Sequence, residues 1–81
     1  MLVLTMEPND KIFFNRGEFI QAGFHEEKQC VRYKNVVTHV GNKLVLDGLG
    51  TIYLKNETGQ FKAVFDFPKN IKIAREGAKE R

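Results

Sequence analysis

Alternation of apolar and polar residues at every second position constrains the fold of this chain more than any other feature of its sequence. At the N-terminus Leu2, Leu4 and Met6 fall on one side of the stretch 2–6. A period of two is typical of a β-strand with one buried face, and the residue types involved favour a pleated sheet. The sequence therefore predicts a mainly β protein that begins with a strand.

Short turn sequences follow this first strand. Residues 8–10, Pro-Asn-Asp, have turn chemistry and precede the apolar run 12–14. Residues 15–18, Asn-Arg-Gly-Glu, offer a second turn because Asn and Gly tolerate positive φ angles. This part of the chain is thus predicted to run strand, turn, strand, turn.

The C-terminal half carries a strong hairpin pattern. Residues 51–55 alternate like a strand, and residues 56–59 have the length of a hairpin connection. The residues that then share one face are Phe61, Ala63, Phe65 and Phe67. Residues 68–70 break the run because proline has no N–H group to donate to a ladder. Ile71 and Ile73 predict a further short strand that leads into Arg75.

Two segments are compatible with more than one structure. Residues 20–50 contain β-branched and aromatic residues that favour strands, but several of these also fall at helical spacing, and residues 25–28 place acids where they favour the start of a helix. We expect strands in part of this segment, including residues 44–46. Residues 76–81 lack large apolar side chains, which predicts a frayed end or a short polar helix.

The length of 81 residues predicts a single domain, 1–81, with a small core that dimerisation would extend. Apolar runs are far shorter than the ~20 residues that cross a bilayer, so no membrane segment is expected. The N-terminus shows no basic and apolar leader pattern, and Cys30 is the single cysteine. These features favour a cytoplasmic protein.

The formal charge of +3 is concentrated in the last quarter of the chain. Acids and bases balance through residue 60. The cations after that point are Lys62, Lys69, Lys72, Arg75, Lys79 and Arg81, against Asp66, Glu76 and Glu80. Such a segment suits an anionic partner, most commonly nucleic acid, although a solvated basic surface has the same composition.

The segments 1–5 and 59–76, at the two ends of the chain, resemble the carbon storage regulator family, the CsrA and RsmE type of bacterial RNA-binding translational regulators. Met1-Leu2-Val3-Leu4-Thr5 matches the first strand of that family. Residues 59–76, with Phe67-Pro68-Lys69 inside them and Arg75-Glu76 at their end, resemble its fourth strand, Ala-Pro-Lys turn and fifth strand. The likeness covers about residues 1–15 and 51–76 and leaves an insertion at about 20–50.

The resemblance implies a small antiparallel five-stranded CsrA-like sheet, with the insertion as extra strands or a helix. It also implies an interlocked homodimer that exchanges its first and fifth strands, which would remove exposed sheet edges. The implied partner is an mRNA or small regulatory RNA carrying a GGA-containing hairpin loop, and the implied function is control of translation or mRNA stability. Members of this family are also held by protein antagonists.

Carried over position by position, the resemblance implies an RNA site made of Leu4, Thr5, Lys62, Phe67, Pro68, Lys69 and Arg75. A guanidinium offers five fixed donors that fork to phosphate or stack on a base, and lysines neutralise phosphate. Main-chain groups of a strand can read base edges in a single-stranded loop. From the residues alone, Leu4 is typical of a core or interface residue, Arg75 of a solvated strand end, and Lys69 of an exposed loop.

The chain departs from the family at several positions. Met6 and Glu7 stand where family members usually carry arginines, and Ala74 replaces a commonly polar residue. These losses would weaken RNA binding and its salt dependence. The insertion offers cations in compensation, namely Arg32, Lys34 and Lys43.

Other functional classes find less support in the sequence. His25, Cys30 and His39 have spacings of five and nine, which match no compact metal pattern. The chain has no serine and no phosphate-binding glycine loop, so no enzyme, metal or cofactor is expected. Phe61 and Phe65 are expected in the core, whereas Tyr33 and Tyr53 are candidates for base stacking. The remaining alternative is a protein-interaction module that grips a partner through Tyr33 and nearby valines.

Overall fold

Nine antiparallel strands make up the chain in the computed structural model, which describes residues 1–76. The strands are β1 Leu2–Met6, β2 Lys11–Asn15, β3 Glu18–His25, β4 Lys28–Tyr33, β5 Val36–His39, β6 Lys43–Leu46, β7 Gly50–Glu57, β8 Gln60–Asp66 and β9 Ala74–Arg75. The prediction of a mainly β, antiparallel protein is confirmed. Residues 1–76 contain no helix, and none of them form a helix that could cross a bilayer.

The strands form two sheets. The first sheet has four strands in the order β1-β8-β7-β6, and the second has five in the order β5-β4-β3-β2-β9. The predicted pairing of residues 51–55 with the strand beyond residue 60 is confirmed, since β7 and β8 pair from Thr51 opposite Asp66 to Glu57 opposite Gln60.

Two-residue turns with positive φ angles connect several of these strands. The central residues are Arg16-Gly17 at φ 41 and 86, Glu26-Glu27 at 55 and 67, and Thr58-Gly59 at 52 and 82. Two successive positive φ angles are typical of the type I′ turn, whose twist matches that of paired strands. The helix start considered for residues 25–28 is therefore wrong. His25 pairs with Lys28, which leaves only the two glutamates to turn the chain.

A single apolar core lies between the two sheets. Ile12, Ile20 and Val31 of the second sheet are fully buried, as are Ile52 and Phe65 of the first. Burial of such a side chain contributes about 1.5–3 kcal/mol. Phe61 and Ala63 are also buried, so the expectation that alternate residues of this strand face the core is confirmed.

Residues 20–50, for which both strands and a helix were considered, form strands. They supply most of β3 and all of β4, β5 and β6. These strands do not form an appendage to one five-stranded sheet. Because β3 pairs with β2 while β6 pairs with β7, the second and seventh strands end in different layers. The described chain therefore has two sheets where one was expected.

The C-terminal segment leaves the first sheet after Asp66 and joins the second only at β9. The break predicted at residues 68–70 is confirmed by a turn in which the Ile71 N–H donates to the Pro68 carbonyl at 3.0 Å. The strand predicted at Ile71 and Ile73 is wrong, because only Ala74–Arg75 pairs, opposite β2. Both isoleucines are half-buried and pack against the core instead. The end predicted for residues 76–81 lies, beyond Glu76, outside the described residues.

Candidate nucleic-acid interface

The N-terminal strand and the C-terminal segment 67–75 lie side by side. Leu2 at the start of β1 lines a cleft of about 230 Å³ together with Phe67, Pro68 and Lys69. At the other end of the strand, Arg75 Nη2 donates a hydrogen bond to the Thr5 carbonyl oxygen at 2.6 Å. β1 pairs with β8 and β9 pairs with β2, so the two ends meet through side chains rather than through a ladder. The two chain segments that resemble the family's RNA site are thus neighbours within one chain.

Arg75 occupies an unusual environment for a surface arginine. It lies opposite Ile12 in the register of β2 and β9 and is half-buried. Its Nε atom is buried and has no hydrogen-bond partner among the described residues. A buried donor without a partner lowers the stability of the folded state by about 1–3 kcal/mol. Stability alone therefore gives no reason for an arginine at this position. Arg75 is therefore a strong candidate for a functional role.

Leu4 and Thr5 divide between the two faces of β1. The Leu4 side chain is half-buried and packs against the core, which confirms its role as a core residue. Thr5 is exposed and lies opposite Lys62 on β8. The Arg75 contact uses the main-chain oxygen of Thr5, and the Thr5 residue is exposed.

Lys62 is less available than its charge suggests. Its ammonium lies 3.3 Å from Glu57 Oε1, and Lys55 lies 3.8 Å from the same oxygen. The hydrogen bond from Lys62, with the charge of Lys55, lowers the pKa of the Glu57 carboxyl below its ordinary value. Glu57 therefore compensates part of the positive charge at this end of the first sheet.

Phe67, Pro68 and Lys69 play different parts in their turn. The Phe67 ring packs edge-to-face with Phe14 at 5.5 Å and with Phe65 at 5.6 Å between centroids, so it belongs to the margin of the core. Pro68 and Lys69 are exposed. Of these three residues, Lys69 is the one whose side chain can meet a phosphate.

The structure gives a reason for an apolar residue at position 6. The Met6 side chain is 4% exposed and lies in the core, where an arginine would bury a charge. Glu7 is exposed, and its N–H donates to Asp10 Oδ2 at 2.9 Å. The side of β1 that carries Met6 faces the core and has no cationic side chain.

The cations of the insertion lie away from this site. Lys34 pairs with Glu18 at 3.3 Å, and that hydrogen bond raises the pKa of the Lys34 ammonium. Arg32 lies on the second sheet, and Lys43 lies on β6 at the far edge of the first. None of the three lines the cleft beside β1.

The sequence spacing of His25 and His39 did not indicate that their side chains meet. His25 Nδ1 and His39 Nε2 are 3.2 Å apart although the residues are 14 positions apart in the chain. His25 lies on β3 and His39 on β5, and these two strands pair with β4 from opposite sides. The contact between the histidines therefore depends on the strand pairing. Within residues 1–76, no group of three or more His, Cys, Asp or Glu is placed to hold a metal ion. Cys30 is buried, and this burial raises the pKa of its thiol.

The sequence analysis did not predict that aromatic and cationic side chains lie together on the outward face of the second sheet. Ile12 and Phe14 are buried, so Lys11 and Phe13 point outward from the same strand. Phe19 is the register partner of Phe13. The alternation within residues 11–14 indicated that Lys11 and Phe13 share a face. It did not indicate that Phe19 of β3 lies beside them, because the pairing of β3 was not predicted.

Comparison with protein-family models, with curated proteins and with solved structures gave no match. Function is therefore inferred from the residues and their geometry.

Proposed function

We propose that this chain is an RNA-binding post-transcriptional regulator similar to the carbon storage regulator family. It binds a GGA-containing hairpin loop of an mRNA leader along the edge between β1 and Arg75, and so alters translation or mRNA stability in the cytoplasm. A small regulatory RNA with the same loop would compete for the site. The observation that supports this most is the hydrogen bond from Arg75 to the Thr5 carbonyl.

Each element of the edge has a chemical role in this proposal. The half-buried guanidinium of Arg75 is oriented by Thr5, which lowers the entropy lost when its other donors meet a phosphate or a base. Lys69, exposed beside the cleft at Leu2, supplies a further phosphate contact. Main-chain groups at Leu4 and Thr5 read base edges, as strands do in single-stranded RNA recognition.

A strand-exchanged homodimer forms part of the proposal. β1 is an edge strand of the first sheet and β9 an edge strand of the second, so each can leave its sheet and pair with the same neighbour in a second chain. Leu2 and Val3 on β1 are 40% and 49% exposed, which is unusual for an apolar edge strand. If β1 alone exchanges, Thr5 of one chain would meet the arginine of its partner, whereas exchange of both strands keeps this pair within one chain. In either dimer, the two equal sites would bind paired RNA elements with high effective concentration.

The competing function is a protein-interaction module without specific RNA binding. Val36 is 49% exposed and lies opposite Tyr33, whose hydroxyl donates to Glu18. These residues form a small amphipathic surface of the kind that proteins bind. A protein antagonist of the RNA-binding form could use the same surface.

Titration of the full chain with a GGA stem-loop, beside the same hairpin with an altered loop, tests the proposal. We expect the GGA hairpin to bind at least about tenfold more tightly, the equivalent of one lost base contact. Both affinities should fall with salt, because phosphate contacts contribute to both. Equal, weak affinities for the two hairpins would remove specific RNA recognition and favour the protein-interaction module.

A further inference from the structure

We propose that the outward face of the second sheet is a separate binding surface for single-stranded nucleic acid. The residues that carry it are Lys11, Phe13, Phe19, Gln21, Lys28 and Arg32, here called the outer face. This goes beyond the hairpin site, because Arg75 lies opposite Ile12 on the inward side of the same sheet. The ligand class is a single strand of RNA or DNA without a defined sequence.

Cations outnumber carboxylates on and beside the outer face. Strand alternation places Lys11, Lys28 and Arg32 outward, since Ile12, Ile20 and Val31 face the core. The carboxylates nearest to this face among the described residues are Glu18, which pairs with Lys34, and Glu76, which follows β9 and lies opposite Lys11. A sheet face on which cations outnumber carboxylates is complementary to a phosphate backbone.

Two aromatic rings lie beside these cations. Phe13 and Phe19 are cross-strand partners, with ring centroids 5.2 Å apart and planes inclined at 45°. Lys11 Nζ lies 5.2 Å from the Phe19 centroid. Aromatic residues on neighbouring strands, flanked by cations, form the kind of platform on which unpaired bases stack. A base that stacks on Phe19 displaces the Lys11 ammonium, which is then free to meet the adjacent phosphate.

A cleft of about 270 Å³ extends this platform towards the end of the sheet. Phe19, Gln21 and Arg32 line one part of it, and Tyr33 and Lys34 line another. Gln21 and Arg32 are register partners, so an amide and a guanidinium stand side by side at the cleft. Both groups can hydrogen-bond a base edge or a phosphate. Glu18, which also lines the cleft, is compensated by Lys34 at 3.3 Å and accepts a hydrogen bond from Tyr33.

The first sheet lacks this combination. On its outward side Lys55 and Lys62 both approach Glu57, which compensates their charge. The only exposed aromatic side chain among its described strands is Tyr53, 40% exposed. The difference between the outward faces of the two sheets favours the second sheet as the nucleic-acid surface. Substitutions on the first sheet therefore serve as controls.

Fluorescence anisotropy with labelled oligouridylate and oligothymidylate of about twelve nucleotides tests this inference on the full chain. The double variant Lys11→Ser with Arg32→Ser is compared with Lys43→Ser with Lys55→Ser, which removes the same charge from the first sheet. We expect the outer-face variant to weaken both oligonucleotides about tenfold more than its control. It should also lower the slope of log affinity against log salt by about 1.4 for two lost phosphate contacts.

Phe19→Leu tests stacking separately, because leucine keeps an apolar side chain at a half-buried position. We expect about fivefold weaker binding with little change in the salt slope. Equal losses in the two charge variants, unchanged binding by Phe19→Leu, or no binding of either oligonucleotide by the wild-type chain would overturn the inference. Preference for the GGA hairpin over its altered-loop form should persist in the outer-face variant, so failure here is distinguishable from failure of the proposed function.

Discussion

Arg75 closes the chain upon itself by donating a hydrogen bond to the carbonyl oxygen of Thr5, 70 positions earlier in the sequence, at 2.6 Å. The bond joins the edge of one sheet to the edge of the other, because β1 belongs to the first sheet and β9 to the second. It places a guanidinium beside the main chain of the N-terminal strand. The same bond forms between two chains if β1 alone exchanges and within one chain if both strands exchange, so it is compatible with both a closed monomer and an interlocked dimer.

Arg75→Ala should separate binding from stability. The substitution removes a charge-assisted hydrogen bond but also removes the buried Nε that has no partner, and these effects oppose each other. We expect the free energy of unfolding to change by about 1 kcal/mol or less, while affinity for the GGA hairpin falls at least about tenfold. Urea unfolding and hairpin titration measure the two quantities.

Lys43→Ala is the matched control for this variant, because it removes one positive charge from an exposed position on β6. Its hairpin affinity should stay close to that of the wild-type chain. If both variants weaken the hairpin equally, Arg75 contributes only to the overall charge.

Gly50→Ala should destabilise the fold strongly. Gly50 has a φ angle of 152, and a Cβ atom there would collide with the Asp66 carbonyl oxygen and the Phe67 ring. We expect a loss of about 2 kcal/mol or more in the free energy of unfolding. Gly23→Ala is the control, because a Cβ atom at Gly23 meets nothing within 4 Å, and it should change stability by less than about 1 kcal/mol. Similar losses in the two variants would contradict the close approach at Gly50.

Glu57→Gln should strengthen RNA binding if Lys62 contacts phosphate. The carboxylate of Glu57 now holds both Lys62 and Lys55, and the amide would release their full charge. We expect a few-fold gain in hairpin affinity and an increase of about 0.7 in the salt slope for one additional phosphate contact. Glu26→Gln removes the same charge from the turn between β3 and β4 and serves as control. An equal gain in both variants would show that Lys62 makes no specific contact.

The Cys30 thiol should react slowly in the folded protein. Burial raises its pKa, partly opposed by the nearby charge of Arg32, so the reactive thiolate is scarce in the native state. Alkylation by iodoacetamide at pH 8 should be much faster in urea than in buffer. Fast labelling of the folded chain would show that Cys30 is accessible.

The same shift predicts a pH dependence of stability. The raised pKa of Cys30 means that the folded state holds this proton to higher pH than the unfolded state does. The contribution is fully present below the unfolded value of about 8.5 and is lost as pH rises through the folded value. Unfolding free energies measured from pH 7 upward should therefore fall less steeply for Cys30→Ala than for the wild-type chain.

The strands at the two ends of the chain were predictable because their pattern is local. The alternation through residues 61, 63 and 65 and the proline at residue 68 defined β8 and its end without knowledge of any partner. Residues 20–50 were predictable only in part: the strand expected at residues 44–46 is confirmed by β6, but the valines of residues 31–40 fit either a strand or a helical stripe. The turn at Glu26-Glu27 gave no sequence signal, since two glutamates with positive φ angles are uncommon.

The resemblance proposes members for the candidate site but does not indicate their geometry. The resemblance named Thr5 and Arg75, but the hydrogen bond between them depends on how two sheets stack, which no local pattern encodes. Ile71 and Ile73 alternate like a strand, yet packing against the core rather than pairing satisfies them. The partition of strands between two sheets, and with it the outer face, depended on long-range pairings of the middle segment.

The most direct measurement is the change in backbone amide NMR chemical shifts of the ¹⁵N-labelled chain during titration with the GGA hairpin and with its altered-loop form. The account predicts the largest loop-dependent shifts at Leu4, Thr5 and Arg75, with much smaller changes there for the altered loop. Shifts that are the same for both hairpins, or that spare these three residues, would contradict recognition of RNA at the edge between β1 and Arg75.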